Sequence, residues 1–163
     1  MLTQYSKDME RVITALDICR KFHEGQVDKC GQPYWIHPFT VAFRTFTGHT
    51  TSDVIVGLLH DIVEDTSLSL DELCTLIELT DEEKSALDLL TRKKHIPYAE
   101  YIDLILESGN MLAMEVKRND LLHNIQLSRF YNAGLEITNA DVRRVNKYSE
   151  AIQKLTKKLS GEW

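Results

Sequence analysis

The chain has 163 residues, 43% of them hydrophobic and 27% charged, which predicts one domain spanning residues 1–163 with a substantial core. A formal net charge of −6 disfavours non-specific binding to nucleic acid, although a small anion can still bind where positive charge is local. No apolar run approaches the ~18 residues needed to span a bilayer, and Cys19, Cys30 and Cys74 form no CxxC pair, so a reduced cytoplasmic setting away from any membrane is expected.

Seven glycines and three prolines leave few sharp turns, and long alternating β-branched runs are absent. The expected fold is all-α, a compact helical bundle. The first helix is predicted from about Thr3 to Glu24, with an apolar stripe of Met9, Val12, Ile13, Leu16, Cys19 and Phe22, and Gly25 to end it. A loop through Gly31 and Pro33 follows, and Pro38 stands at a natural first helical position for a helix to about Thr47. A turn at Gly48 to Ser52 leads into an apolar run, Val54 to Leu59, that continues as one predicted helix to Thr66. Ser69 with Glu72, and Thr80 with Glu83, have the spacing of capping boxes for two further helices. Pro97 opens a helix through Ile105, Asn110 caps a long one from Met111 to about Tyr131, and Asn139 caps the last, to about Leu159.

The run Val54 to Thr66 carries the chemistry. Its first half has no polar face, as expected of a helix through the core. Its last two turns hold His60, Asp61, Glu64 and Asp65, and on a helix His60 sits above Glu64 and Asp61 above Asp65. A lone buried carboxylate costs several kcal/mol unless paired, protonated or bound to a cation. The negative end of the helix dipole also favours a cation there. A divalent metal is the economical explanation; the plainer one has His60 capping its helix and Asp61 pairing with an arginine.

Two neighbouring side chains cannot fill a coordination sphere. His37 lies before a helix among Tyr34, Trp35 and Pro38, and Asp120 lies on a helix otherwise apolar through Met111, Leu112, Met114, Val116, Leu121, Leu122 and Ile125. His37, His60, Asp61 and Asp120 would give an N/O site suited to Mn²⁺, Fe²⁺ or Zn²⁺, with positions left for water.

The blocks Tyr34-Trp35-Ile36-His37-Pro38, Gly57 to Thr66, and Val116-Lys117-Arg118-Asn119-Asp120-Leu121-Leu122-His123-Asn124 closely resemble the HD-superfamily hydrolase domain of the RelA/SpoT alarmone proteins and their free-standing small relatives. The matching blocks run from about His23 to Leu127. The resemblance implies an HD-type helical bundle and a metal-dependent phosphohydrolase that removes the 3′-pyrophosphate of guanosine tetra- or pentaphosphate (ppGpp, pppGpp). It implies Mn²⁺ as the usual ion, held by His37, His60, Asp61 and Asp120. Glu64 and Asp65 would orient and deprotonate the attacking water. Lys29 matches a nucleotide-holding loop position, and Asn124 one that contacts the substrate or its water network. Lys117 is expected to reach phosphate or an acidic group, or to snorkel. Arg92, in the run Arg92-Lys93-Lys94-His95, either lines the phosphate end of the cleft or is a solvated helix end. His23 is read as structural, His49 and His123 as turn and helix-packing residues, and Phe39, Phe43, Phe46 and Tyr148 as core.

Asp28 departs from the pattern: the alarmone hydrolases usually have a basic residue there, often arginine, and a carboxylate would repel phosphate. Position 127 is Leu rather than the threonine often seen. Two alternatives therefore stay open. One is an HD phosphohydrolase acting on another phosphorylated nucleotide, and the other is a non-catalytic nucleotide-sensing domain. The oligomeric state is not readable from the residues.

Overall fold

A computed structural model describes residues 3–44 and 50–162. Among these residues the regular structure is helical: α1 (Gln4–Phe22), α2 (Ile36–Ala42), α3 (Thr51–Leu59), α4 (Ile62–Asp65), α5 (Leu70–Leu76), α6 (Asp81–Leu90), α7 (Tyr98–Glu107), α8 (Met111–Asn124), α9 (Ser128–Asn132) and α10 (Asn139–Leu159). An isolated bridge between Val27 and Pro33 pins the loop after α1. No helix among the described residues is long and apolar enough to cross a membrane.

Helix α3 is central because it is apolar on every side. Val54, Ile55, Val56, Leu58 and Leu59 are all buried, and α1, α2, α6 and α8 surround them. Helix α8 forms the second axis, between α2, α3, α6 and α10. The predicted capping boxes close at Ser69–Glu72 and Thr80–Glu83, and others at Thr50–Asp53 and Thr138–Asp141. Each cap supplies acceptors to backbone N–H groups that a helix start leaves unpaired. Glu83 does more than cap. It is fully buried and joins Arg11 of α1, the Ser52 hydroxyl of α3 and the Thr80 N–H in one network. With both carboxylate oxygens engaged, the charge is tolerated inside the bundle.

Several boundaries differ from the sequence expectation, each for a local reason. The predicted single helix from Val54 to Thr66 is two helices, interrupted at His60 and Asp61, where the Gly57 carbonyl accepts from the His60 ring Nδ1 at 2.8 Å. Helix α2 begins at Ile36, so Pro38 is its third residue; a proline is harmless there because the N–H groups of a first turn have no helical acceptor. The helix ends at Ala42, and the remainder of its predicted span, with Phe46, Gly48 and His49, lies largely outside the described residues. The long helix expected to reach Tyr131 stops at Asn124, where Ile125 turns the chain, and α9 follows. Thr138, not Asn139, caps α10. On α1 the buried face is Ala15, Ile18 and Cys19, with Met9 and Ile13 at the surface. Phe39 and Phe43, expected in the core, are exposed and pack on each other with ring centroids 4.8 Å apart.

Gly57 is required by packing. A Cβ at this position would lie 2.6 Å from the Ala42 Cα of α2. Substituting Gly57→Ala is expected to push α2 from α3 at a cost of about 1–3 kcal/mol, the range for overpacking a core, read as a lower urea midpoint with an unchanged m-value.

Candidate metal centre and adjoining cleft

Three separate elements bring the four proposed ligands together. His37 stands in the first turn of α2, His60 and Asp61 form the break between α3 and α4, and Asp120 projects from α8. His37 Nε2 lies 3.4 Å from Asp61 Oδ2 and 3.2 Å from Asp120 Oδ1. His60 Nε2 lies 3.2 Å from Asp61 Oδ2 and 3.9 Å from Asp120 Oδ1. His37, His60 and Asp61 each offer a ligand atom within 4.8 Å of the others, and Asp120 Oδ1 stands beside the two imidazoles, outside that group of three. His37, His60 and Asp120 are buried and Asp61 is partly so.

The chemistry of this cluster asks for a cation. His60 donates from Nδ1 to the Gly57 carbonyl, an acceptor only, so its Nε2 carries the lone pair. That Nε2 is buried without a hydrogen-bond donor facing it. A nitrogen lone pair aimed at carboxylate oxygens is repulsive unless a proton or metal lies between them. The titration behaviour agrees. Burial alone would lower His37, but the Asp120 and Asp61 carboxylates outweigh it and push the imidazole up to about 9. His60 is raised by Asp61 and Asp120, also against burial. Burial would raise both acids, yet His60 and His37 hold Asp61 well below the usual carboxylate range, and Lys117 and His37 do the same for Asp120. The donor set therefore fits a divalent ion.

The other expected residues fall around this core. Glu64 is exposed and accepts from the Arg92 backbone N–H at 3.1 Å. Partial burial, with help from Asp61 and Asp65, pushes its carboxyl above the ordinary glutamate value despite Arg92 and Lys117. Asp65 Oδ2 lies 2.9 Å from the Tyr34 hydroxyl, which is also 2.8 Å from Asp61 Oδ2. Tyr34 thus bridges a ligand and a catalytic candidate. His23 supports the same corner: its Nδ1 meets Gln26 Oε1 at 2.8 Å, and the Gln26 amide donates to the Asp65 carbonyl.

Lys117, expected to reach phosphate or an acidic group or to snorkel, meets an acid. Its Nζ donates to Asp120 Oδ2 at 2.8 Å beneath the Tyr101 ring. Asn124 donates from Nδ2 to Asp120 Oδ1 at 2.5 Å, so it fixes that carboxylate. Arg92 reaches Glu64 through its backbone, and Lys93, Lys94 and His95 are exposed. Lys29 is exposed on the rim of a cleft of about 280 Å³ that opens beside His37 and Asn124 and includes Arg129, Arg144 and Tyr148. A larger cavity, about 680 Å³, is lined by Asp53, Glu82 and Glu115 and includes none of the cluster residues.

Asp28 behaves differently from the expectation that it would repel phosphate. Its Oδ1 accepts from the N–H groups of Cys30 and Gln32 at 2.8 and 2.9 Å, which shapes the loop, and its Oδ2 pairs with Arg129. Against burial, these donors hold its carboxyl below the usual value. The negative charge is matched by an arginine 101 positions further along the chain.

Sequence reasoning missed Tyr34, His123, Arg129, Arg144 and Tyr148 as site residues. Arg144 and Tyr148 are four apart on α10, a spacing that places them on one helix face and was a usable signal. Tyr148, read as core, lines the cleft. His123, read as a packing residue, meets His37 Nδ1 from its own Nδ1 at 2.6 Å. Arg129 had no local signal.

No family model matches the chain. Over 133 residues it is 30% identical to the guanosine-3′,5′-bis(diphosphate) 3′-pyrophosphohydrolase of Borreliella burgdorferi, covering 74% of this chain and 20% of that protein. Over 142 residues it is 28% identical to a protein of Mycoplasma pneumoniae named as a probable enzyme of the same kind, covering 78% of this chain and 19% of that one. The chain thus spans about a fifth of the length of these curated relatives. A solved structure described as a metazoan ortholog of SpoT that hydrolyzes ppGpp superposes with a TM-score of 0.69 at 22% identity, over 99% of this chain and 89% of that one. In sequence the chain is similar to these hydrolases over about three quarters of its length, and in fold to the SpoT ortholog.

The raised His37 value gives a pH signature. Its stabilising contribution in chelator-treated protein is full below the ordinary 6.5 and lost as pH rises through about 9. Melting temperature without metal is expected to fall across that window. Adding a divalent ion at a hundred times its Kd should stabilise the protein by about 2.7 kcal/mol, and His60→Ala should lose that increment. A thermal scan indifferent to every divalent ion would count against the site.

Proposed function

We propose that the chain is a metal-dependent phosphohydrolase that removes the 3′-pyrophosphate of ppGpp or pppGpp, with Mn²⁺ held by His37, His60, Asp61 and Asp120, in the cytoplasm. The convergence of two imidazoles and two carboxylates beside Glu64 and Asp65 supports this reading most strongly. When bound, the ion supplies Lewis-acid polarisation of the reacting phosphate.

The protein groups divide the remaining work. Water adds to the phosphorus attached to the 3′ oxygen, the 3′ O–P bond breaks, and GDP (or GTP) and pyrophosphate result. Glu64 takes the proton from the attacking water, a task to which its raised pKa brings it closer. Asp65, kept in place by the Tyr34 hydroxyl, orients that water. Lys29, Arg129 and Arg144 bring cationic groups to the cleft, the two arginines also holding Asp28 and Asp141, and Arg92 binds Glu64 through its backbone N–H. A chain of net charge −6 thereby offers local attraction to a phosphorylated nucleotide. Lys117 and Asn124 serve the substrate indirectly, by fixing Asp120. Asp28, the residue that argued for a different nucleotide, is paired with Arg129 and no longer favours one.

Purified protein supplied with Mn²⁺ and ppGpp is expected to release pyrophosphate. Asp61→Ala should abolish turnover, and Glu64→Gln should lower kcat by about 10²–10⁴, the range for losing a general base. Inactivity on ppGpp with every divalent metal would reject the assignment, and faster turnover of another nucleotide in a panel would redirect it.

A further inference from the structure

His37 differs from His60 in what holds its second nitrogen. For His60 the Nδ1 partner is a backbone carbonyl, which can only accept. For His37 the partner is another imidazole, His123, with the two Nδ1 atoms 2.6 Å apart and the rings within 18° of parallel. One proton lies between these nitrogens, and geometry alone leaves its owner open. The third participant decides it. Arg129 directs NH1 at the same His123 Nδ1 from 3.5 Å, and a guanidinium has donors and no acceptor. His123 Nδ1 therefore carries the lone pair and His37 Nδ1 carries the proton, which reserves His37 Nε2 for the metal or proton shared with Asp61 and Asp120.

Arg129 is itself anchored. Its NH2 pairs with Asp28, whose other oxygen is fixed by the Cys30 and Gln32 N–H groups. Asp28, Arg129 and His37 all line the same cleft. We infer that Asp28, Arg129 and His123 form a positioning chain that sets the tautomer and ring orientation of His37, and so couples the cleft to the metal centre. His123 is the positioning residue. The departure at Asp28 then has a use: an arginine there would face Arg129 with like charge and leave the guanidinium unanchored. A partner that fixes a liganding imidazole commonly contributes 10–100-fold to metal affinity.

The inference rests on the reading that His37 holds a divalent cation, so the test measures Mn²⁺ binding by calorimetry on the intact chain, independent of turnover. His123→Leu, which removes the acceptor, is expected to weaken Mn²⁺ binding about 10–100-fold. His123→Asn, which restores an acceptor oxygen, should recover most of that loss. Arg129→Met should weaken binding in the same direction by less, and it guards against a folding defect because its side chain is partly exposed. Nitrogen-15 shifts of the imidazoles should show the proton on Nδ1 of His37 and on Nε2 of His123. A proton on His123 Nδ1, or wild-type affinity retained in both His123→Leu and Arg129→Met, overturns the inference while leaving the metal centre standing. Failure of the wild-type protein to bind any divalent ion overturns the centre and this inference with it.

Discussion

The site depends on what Gly57 permits on its two sides. Its missing side chain lets α3 and α2 approach until a Cβ would meet the Ala42 backbone, and that approach carries His37 toward the centre of the bundle. Its carbonyl accepts the His60 Nδ1 proton, which interrupts the helix and turns His60 Nε2 toward the acids. Two proposed ligands on different elements are thus placed by one residue without a side chain. The packing constraint and the tautomer constraint belong to the same peptide.

Around this point the charges form concentric layers. Two buried carboxylates face two imidazoles whose lone pairs cannot all be satisfied by one another. Outside them, Lys117 and Asn124 hold Asp120, and Tyr34 holds Asp61. Further out, Lys29, Arg129 and Arg144 line the cleft. Each layer offsets the one inside it, as burial of ionised groups requires. Three of the chain's 19 lysines and arginines line that opening.

Residues whose role follows from their neighbours in sequence were legible beforehand. The capping boxes at Ser69 and Thr80, the apolar run of α3 and the His60–Asp61 pair were all readable from spacing. Helix ends were less so, because α3 is stopped by a side-chain bond to its own backbone and not by glycine or proline. The expected α1 stripe held at Val12, Leu16, Cys19 and Phe22, which face the core, and missed at Met9 and Ile13, because only its packing partners fix which edge of the apolar face is covered. Least legible were pairings across long separations. Arg129 and Asp28 are 101 positions apart and His123 and His37 86 apart, so neither pair leaves a local pattern. A residue judged by type alone, as Asp28 was, can have its charge cancelled by such a partner.

The proposed ligands and the proposed proton-handling acids also differ in how firmly they are mounted. His37 is anchored by the α2–α3 contact, and Asp120 stands mid-helix in α8 between other helices. Glu64 and Asp65, by contrast, lie on α4, a helix of four residues. A single turn has too few internal hydrogen bonds to be stable alone, so its position is set by side anchors: Tyr34 on Asp65, the Gln26 amide on the Asp65 carbonyl, and the Arg92 N–H on Glu64. Small elements held by few contacts open locally at lower cost than the core. The proposed metal centre can therefore stay rigid while the carboxylates beside it shift, and Tyr34, touching Asp61 as well as Asp65, limits how far that shift can go.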